Sequence, residues 1–303
     1  MKTGATGKTR GARPLKKESL LAQTRALLRR YHLRARKGLG QHFLIDEEVL
    51  GLIVSAAQLT PDDIVVEIGS GLGVLTSELA RQSGHVVAIE LDDMLAAILE
   101  QTLASFHNVT IVNKDVLSIE PGALLQDLKT GVPAQSYKVV ANLPYYVASA
   151  VLRHFLEASI KPEMMVVMMQ KEVAEEIAAT PGRMSLLSVS VQLYGEPAIV
   201  GRVPPQCFFP PPEVDSAILK ITVYPRPAVD IADTESFFAL VRAGFSAARK
   251  QMANSLAQGL GRPKADILPL LEKAGIVPQR RAETLSIDEW ARLWRVFRGV
   301  EEG

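Results

Sequence analysis

Four short clusters in this 303-residue chain combine residue types that can do chemistry, and each falls where an apolar run ends. The first, Glu67-Ile68-Gly69-Ser70-Gly71-Leu72-Gly73, sets alternate glycines behind an acid. Glycine lets the backbone turn tightly and approach a ligand closely. The second is Glu90, 21 residues beyond Gly69; a carboxylate there suits two hydrogen bonds to ribose hydroxyls. The third is Asn113-Lys114-Asp115. A carboxylate accepts hydrogen bonds and donates none, so Asp115 can read an adenine amino group, and it is also a good helix N-cap. The fourth is Asn142-Leu143-Pro144-Tyr145. An exocyclic amino nitrogen on adenine is a poor nucleophile, because its lone pair is delocalised into the ring. A site that accepts hydrogen bonds from both its N–H groups favours the pyramidal nitrogen formed during attack. The Asn142 side-chain oxygen and the Leu143 backbone carbonyl are two such acceptors. Pro144 stiffens that backbone by fixing φ, and Tyr145 offers a ring on which an unstacked base can lie. In isolation, Asn-x-Pro is an ordinary strand-ending turn.

The elements around these clusters alternate. Strands are expected at Ile64–Ile68, Val86–Glu90, Val109–Val112, Tyr137–Ala141 and Glu163–Met169. Helices are expected at Val49–Ala57, Val74–Gln82, Asp93–Thr102, around Gly122–Lys129, and at Ala148–Ala158 and Lys171–Ala179. This is a βαβ pattern, hence an α/β fold with a mostly parallel, doubly wound sheet. Ligands of such sheets bind beyond the carboxyl ends of the strands, where all four clusters stand. After a helix at Ser185–Leu193 come strands Pro197–Val203 and Ser216–Tyr224, separated by the proline-rich VPPQCFFPPPEV. Two strands joined by a loop predict an antiparallel edge. Helices at Thr234–Ala257, Lys264–Ala274 and Ile287–Phe297 then predict a small all-helical unit. The expected boundaries are a disordered basic tail 1–17, an α/β domain 18–225 and a helical domain 226–303. The first of these leads into a helix over Glu18–Arg34 that Gly38 and Gly40 break.

The glycine loop leaves two cofactors in play. A dinucleotide fingerprint GxGxxG starting at Gly69 needs its last glycine where Val74 stands. The spacing E-x-G-x-G-x-G instead resembles the S-adenosylmethionine loop of class I methyltransferases. Glu90 supports a ribose-bearing cofactor without choosing between them.

Charge is unevenly spread. Met1–Lys37 carries twelve Lys or Arg and one acid, Glu18, a net of +11, which leaves −10 for the rest of a chain whose total is +1. A basic arm on a mildly acidic body points to a polyanionic partner; an organellar transit peptide is a weaker reading, since the amphipathic stretch runs on toward the folded part. Cys207 is the single cysteine, so no internal disulfide and no cysteine-rich metal site can form. No apolar run approaches the roughly 20 residues of a membrane span, and the start lacks a secretory h-region. A reducing cytoplasm fits these features, with no membrane partner and no metal.

Together the segments GQHFLID, VVEIGSGLGVLT, IELD, NKDVL, NLPYY, QKEVAEEI, FFPPPEVDSAILKI and RRAETLS resemble the ribosomal RNA adenine dimethyltransferase family of the kasugamycin-resistance type, over about Leu27 to Trp294. The resemblance implies a Rossmann-like class I methyltransferase domain, an RNA-binding helical C-terminal domain, S-adenosyl-L-methionine as cofactor, and no metal. It implies that His42 and Leu44, with Gly69 and Gly71, hold the methionine end of the cofactor. Glu90 would hold its ribose and Asp115 its adenine, with Asn142 beside the transferred methyl. Phe208 would sandwich the target base opposite Tyr145, although by its sequence alone it reads as a core residue. Arg242, Arg249 and Lys250 would contact RNA phosphates; Ala248 stands where relatives often have a second arginine. The implied substrate is a pair of adjacent adenosines in a hairpin loop near the 3′ end of small-subunit ribosomal RNA, in a pre-30S particle, methylated by a monomer. Three alternatives stay open: a large-subunit methylase of the macrolide-resistance type, a ribosome-assembly factor in which methylation is secondary, and a nicotinamide oxidoreductase.

Overall fold

The computed structural model describes residues 18–33, 41–126, 136–247 and 249–301. The expected tail 1–17, the glycine break at 38–40, the end of the helix expected around Gly122–Lys129 and Ala248 lie outside the described residues.

A helix α1 (Leu20–Arg30) opens the described chain, capped by Ser19. It stops four residues short of the expected Arg34, because the Tyr31 N–H closes back on Leu27 and Arg29 and His32 takes a left-handed φ of 52°. A two-residue strand β1 (Phe43–Leu44) precedes α2 (Glu47–Ala56), which Asp46 caps by accepting the Glu48 and Val49 N–H groups. The alternation then runs β2 (Ile64–Ile68), α3 (Val74–Gln82), β3 (His85–Glu90), α4 (Asp93–Thr102), β4 (Val109–Asn113), α5 (Ala123–Gln126), β5 (Lys138–Asn142), α6 (Ala148–Leu156), β6 (Met164–Gln170), α7 (Lys171–Ile177) and α8 (Leu186–Gln192). After it come β7 (Gly195–Val203), β8 (Phe208–Phe209) and β9 (Ser216–Val223).

Seven of these strands form one sheet in the order β4-β3-β2-β5-β6-β9-β7. The five strands from β4 to β6 are parallel; β9 runs antiparallel to both β6 and β7, giving the expected edge. Strand order reverses at β2, which lies between β3 and β5, and such a switch point leaves a crevice at the strand ends. Successive residues face opposite layers: Val66 and Val139 join the core under α6, while Val65 and Val140 join the core under α2 and α3. Both layers are buried, which is why the strands read as unbroken Val, Ile and Met runs.

The helical end differs from expectation in two respects: the last helix runs four residues past the expected Phe297, and one expected helix is broken. The single helix expected over Thr234–Ala257 is two, α9 (Thr234–Phe245) and α10 (Met252–Leu260), followed by α11 (Lys264–Lys273) and α12 (Ile287–Glu301). At the break, the Ser246 hydroxyl donates to the Ala243 and Ser255 carbonyls and the Ser255 hydroxyl to the Ala247 carbonyl, so side chains replace helix bonds. Leu256, Leu271, Trp290 and Trp294 share one continuous core with the sheet's Val139 and Met165. The RRAETLS segment makes a further join: the Glu283 carbonyl accepts the Gly182 and Met184 N–H groups of the α7–α8 connection. Among the described residues, no helix is long and apolar enough to cross a membrane.

Candidate active site

A cleft of about 680 Å³ opens at the carboxyl ends of β2, β3, β4 and β5. It gathers His42, Leu44, Gly69, Gly71, Glu90, Asp115, Asn142, Leu143, Pro144 and Tyr145. Sequence positions more than a hundred residues apart thus meet at one switch point.

The glycine loop forms the floor. Gly69 has φ 71° and Gly71 φ 58°, a region that disfavours side chains. A Cβ at Gly71 would also lie 3.4 Å from the Phe43 ring. The Gly69 N–H donates to the Ile89 carbonyl of β3 at 2.8 Å, so the loop is tied to the neighbouring strand as it turns. Beneath it Glu67 is buried, accepting the Thr76 hydroxyl, and burial pushes its carboxyl up to about 7. Glu90 accepts the Gly71 N–H at 2.8 Å and the Asp92 N–H at 3.0 Å. Burial also raises its carboxyl, against those hydrogen bonds. Asp115 is exposed at the far wall, where its Oδ1 accepts the Leu117 N–H at 3.0 Å. Leu91, Met94 and Leu117 line the cleft there and stay exposed, an apolar surface suited to a flat ring.

The other wall is the Asn142–Tyr145 turn. The Asn142 Nδ2 donates to the His42 carbonyl at 3.1 Å. A carbonyl only accepts, so this contact fixes which end of the amide is oxygen and leaves Oδ1 as an acceptor. The Leu143 N–H is bound to the Met168 carbonyl at 3.0 Å, anchoring the turn to β6. Among the described residues no donor is bonded to Asn142 Oδ1 or to the Leu143 carbonyl. The Tyr145 hydroxyl pairs with Ser216 Oγ at 2.6 Å, and its ring stacks on His42.

Phe208 is placed elsewhere. It is 2% exposed, pairs with Leu44 across the β1–β8 ladder and packs in the core with Leu50 and Ile218, so the structure does not bring it to the cleft. Arg242, Arg249 and Lys250 are exposed on α9 and the α9–α10 turn, outside the cleft; Lys250 donates to Gln258 at 2.8 Å. Sequence reasoning gave no role to Ser216, although it lies in the FFPPPEVDSAILKI segment at the start of a strand. It also passed over Tyr146, which lines the cleft and is 63% exposed, and the apolar wall of Leu91, Met94 and Leu117.

The family model for ribosomal RNA adenine dimethylase matches residues 32–298. This chain belongs to the ribosomal RNA adenine dimethylase family. Among curated relatives, the dimethylase is 52% identical to a ribosomal RNA small subunit methyltransferase A of Dehalococcoides mccartyi, over 92% of this chain and 94% of that protein. It is 43% identical to the protein so named from Alkaliphilus metalliredigens, over 90% and 95% of the two chains. Among solved structures, the 23S rRNA methyltransferase ErmE is 29% identical with a TM-score of 0.66, over 84% of this chain and 99% of that one. A dimethyladenosine transferase from Plasmodium falciparum shares the fold, with a TM-score of 0.71 at 24% identity over 85% and 98%. The dimethylase is an S-adenosylmethionine-dependent enzyme acting on ribosomal RNA. Its cleft fits that cofactor in kind: side-chain-free backbone at Gly69 and Gly71, a buried carboxylate at Glu90, and an apolar wall with a carboxylate at Asp115.

Proposed function

We propose that the enzyme dimethylates N6 of two adjacent adenosines in the hairpin loop near the 3′ end of small-subunit ribosomal RNA, acting as a cytoplasmic monomer on a pre-30S particle. The observation that carries this reading is the pair of unclaimed acceptors, Asn142 Oδ1 and the Leu143 carbonyl, at the cleft wall beside Tyr145.

When bound, S-adenosylmethionine supplies a methyl group already activated by the positive charge of its sulfonium. Glu90 would accept the ribose hydroxyls, Asp115 and the Leu91–Leu117 wall would receive the adenine, and the chain from His42 to Leu44 with the glycine loop would enclose the methionine end. Tyr145 holds the target adenine flat. Asn142 Oδ1 and the Leu143 carbonyl would then accept the two N–H groups of the unmethylated nitrogen, and the one that remains after a first transfer, which draws its lone pair out of conjugation. Pro144, whose Cδ lies 3.5 Å from where a Gly69 side chain would begin, keeps that carbonyl in place above the loop. The helical unit 226–303 docks the RNA through the exposed Arg242, Arg249 and Lys250, reading shape and splayed bases rather than duplex edges.

The likeness to ErmE favours one second reading, methylation of large-subunit RNA. Identity of 52% to small-subunit methyltransferases, against 29% to ErmE, supports the first. Unmethylated ribosomal particles incubated with labelled cofactor, followed by mass spectrometry of the digested nucleosides, decide between them. Dimethyladenosine confined to small-subunit RNA is expected; label only in large-subunit RNA sinks the proposal. An Asn142→Ala arm separates methylation from particle binding.

A further inference from the structure

The ring of Tyr145 has an aromatic neighbour, offset from it, on one side. The His42 imidazole lies against it with centroids 5.9 Å apart and planes within 22°. Its Nδ1 is 2.8 Å from the Pro210 carbonyl; since a carbonyl only accepts, Nδ1 carries the hydrogen and donates. The His42 backbone carbonyl in turn receives the Asn142 amide. One residue therefore touches the amide, the aromatic ring and the proline-rich loop. Each end of this tie is held independently. Phe43, next in the chain, pairs with Phe209 across the β1–β8 ladder, and the Tyr145 hydroxyl is fixed on Ser216 at the start of β9.

We infer that His42 is a positioning residue for the target base: its imidazole backs one face of Tyr145, sets the plane of that ring and ties the proline-rich loop to it, leaving the opposite face for adenine. The family resemblance allots His42 to the methionine end of the cofactor, but its ring face and Nδ1 are committed to the base side. The inference rests on reading Tyr145 as the stacking ring.

The test uses the full-length enzyme and small subunits reconstituted with 2-aminopurine at the target position, whose fluorescence reports base unstacking and restacking. His42→Ala is expected to lower the methylation rate on ordinary subunits by about tenfold and to blunt the 2-aminopurine response. Affinity for S-adenosylmethionine, measured by calorimetry, should fall by much less. His42→Phe, which keeps a ring against Tyr145, and His42→Asn, whose amide can still donate to Pro210, should each recover part of the rate that the alanine variant loses. An alanine variant that loses cofactor affinity in step with rate, with the 2-aminopurine response intact, overturns the inference. If that variant does not fold, the other two decide, and phenylalanine and asparagine variants that both lose cofactor affinity in step with rate, with the 2-aminopurine response intact, overturn it. A wild-type enzyme giving no 2-aminopurine response removes the stacking reading and this inference together, whereas a normal wild-type response unchanged in all three variants removes only the inference.

Discussion

The Asn142 amide is held by a carbonyl one hundred residues earlier in the chain, that of His42, at 3.1 Å. That bond is what makes the amide an acceptor toward the cleft, so its removal should be felt in chemistry rather than in folding. Asn142→Asp keeps the shape but sets a carboxylate oxygen against the His42 carbonyl. Single-turnover methylation should fall by about a hundredfold or more, while particle binding in a filter assay changes little. Comparable turnover in the variant would remove Asn142 from the transfer step.

Tyr145 makes two separable contributions. Tyr145→Phe removes only the bond to Ser216, about 1 kcal/mol, and should slow methylation less than tenfold. Tyr145→Ala removes the ring as well, and base–aromatic stacking contributes about 1–3 kcal/mol. Steady-state rates with the two variants should therefore separate clearly; equal losses would mean that the hydroxyl, not the ring, matters.

Glu67 has a raised carboxyl, near 7 in the fold against 4.5 ordinarily. Between those values the folded protein keeps a proton that the unfolded chain has released, so stability falls as pH rises through that window and levels off above it. Denaturant melts from pH 4.5 to 8 should show this slope. Glu67→Gln, which still accepts from Thr76, should flatten it and stabilise the protein at pH 8 by up to about 3 kcal/mol. An unchanged slope in the variant would assign the effect to another group.

The Arg280–Glu289 pair works in the opposite sense. The guanidinium hydrogen-bonds both carboxylate oxygens, the closer at 2.5 Å, and holds the Glu289 carboxyl below its usual range, so its contribution is present near neutrality and lost as pH falls through the acid range. Arg280 also binds the Thr284 carbonyl, which fixes the segment that meets the α7–α8 connection. Glu289→Ala should cost about 1–3 kcal/mol at pH 7, read as a lower thermal midpoint, with little change in cofactor affinity.

Much of the fold was legible because strands buried on both faces and helices with one apolar face announce themselves: the strand Ile64–Ile68 and the helices Val74–Gln82 and Asp93–Thr102 begin and end where their sequence patterns do. The cleft was legible because strand-end chemistry is local in sequence. What was hidden is tertiary. The α9–α10 break has no proline and no glycine at its turn; Ser246 and Ser255 make it by bonding across to each other's backbone neighbourhood. The β1–β8 ladder is two residues long, too short for any periodicity to show. Phe208 shows the converse: its sequence context read as core, which is where it packs, and the base-side role came from the resemblance alone.

That short ladder also sets an order of events during synthesis. His42 and Pro210 are 168 residues apart, so at about 5–20 residues per second a ribosome spends roughly ten to thirty seconds between them. Through that interval the parallel strands and the glycine loop have been made, yet the base side of the cleft lacks its partner strand. A nascent dimethylase can thus assemble its cofactor floor before it can close on an adenine.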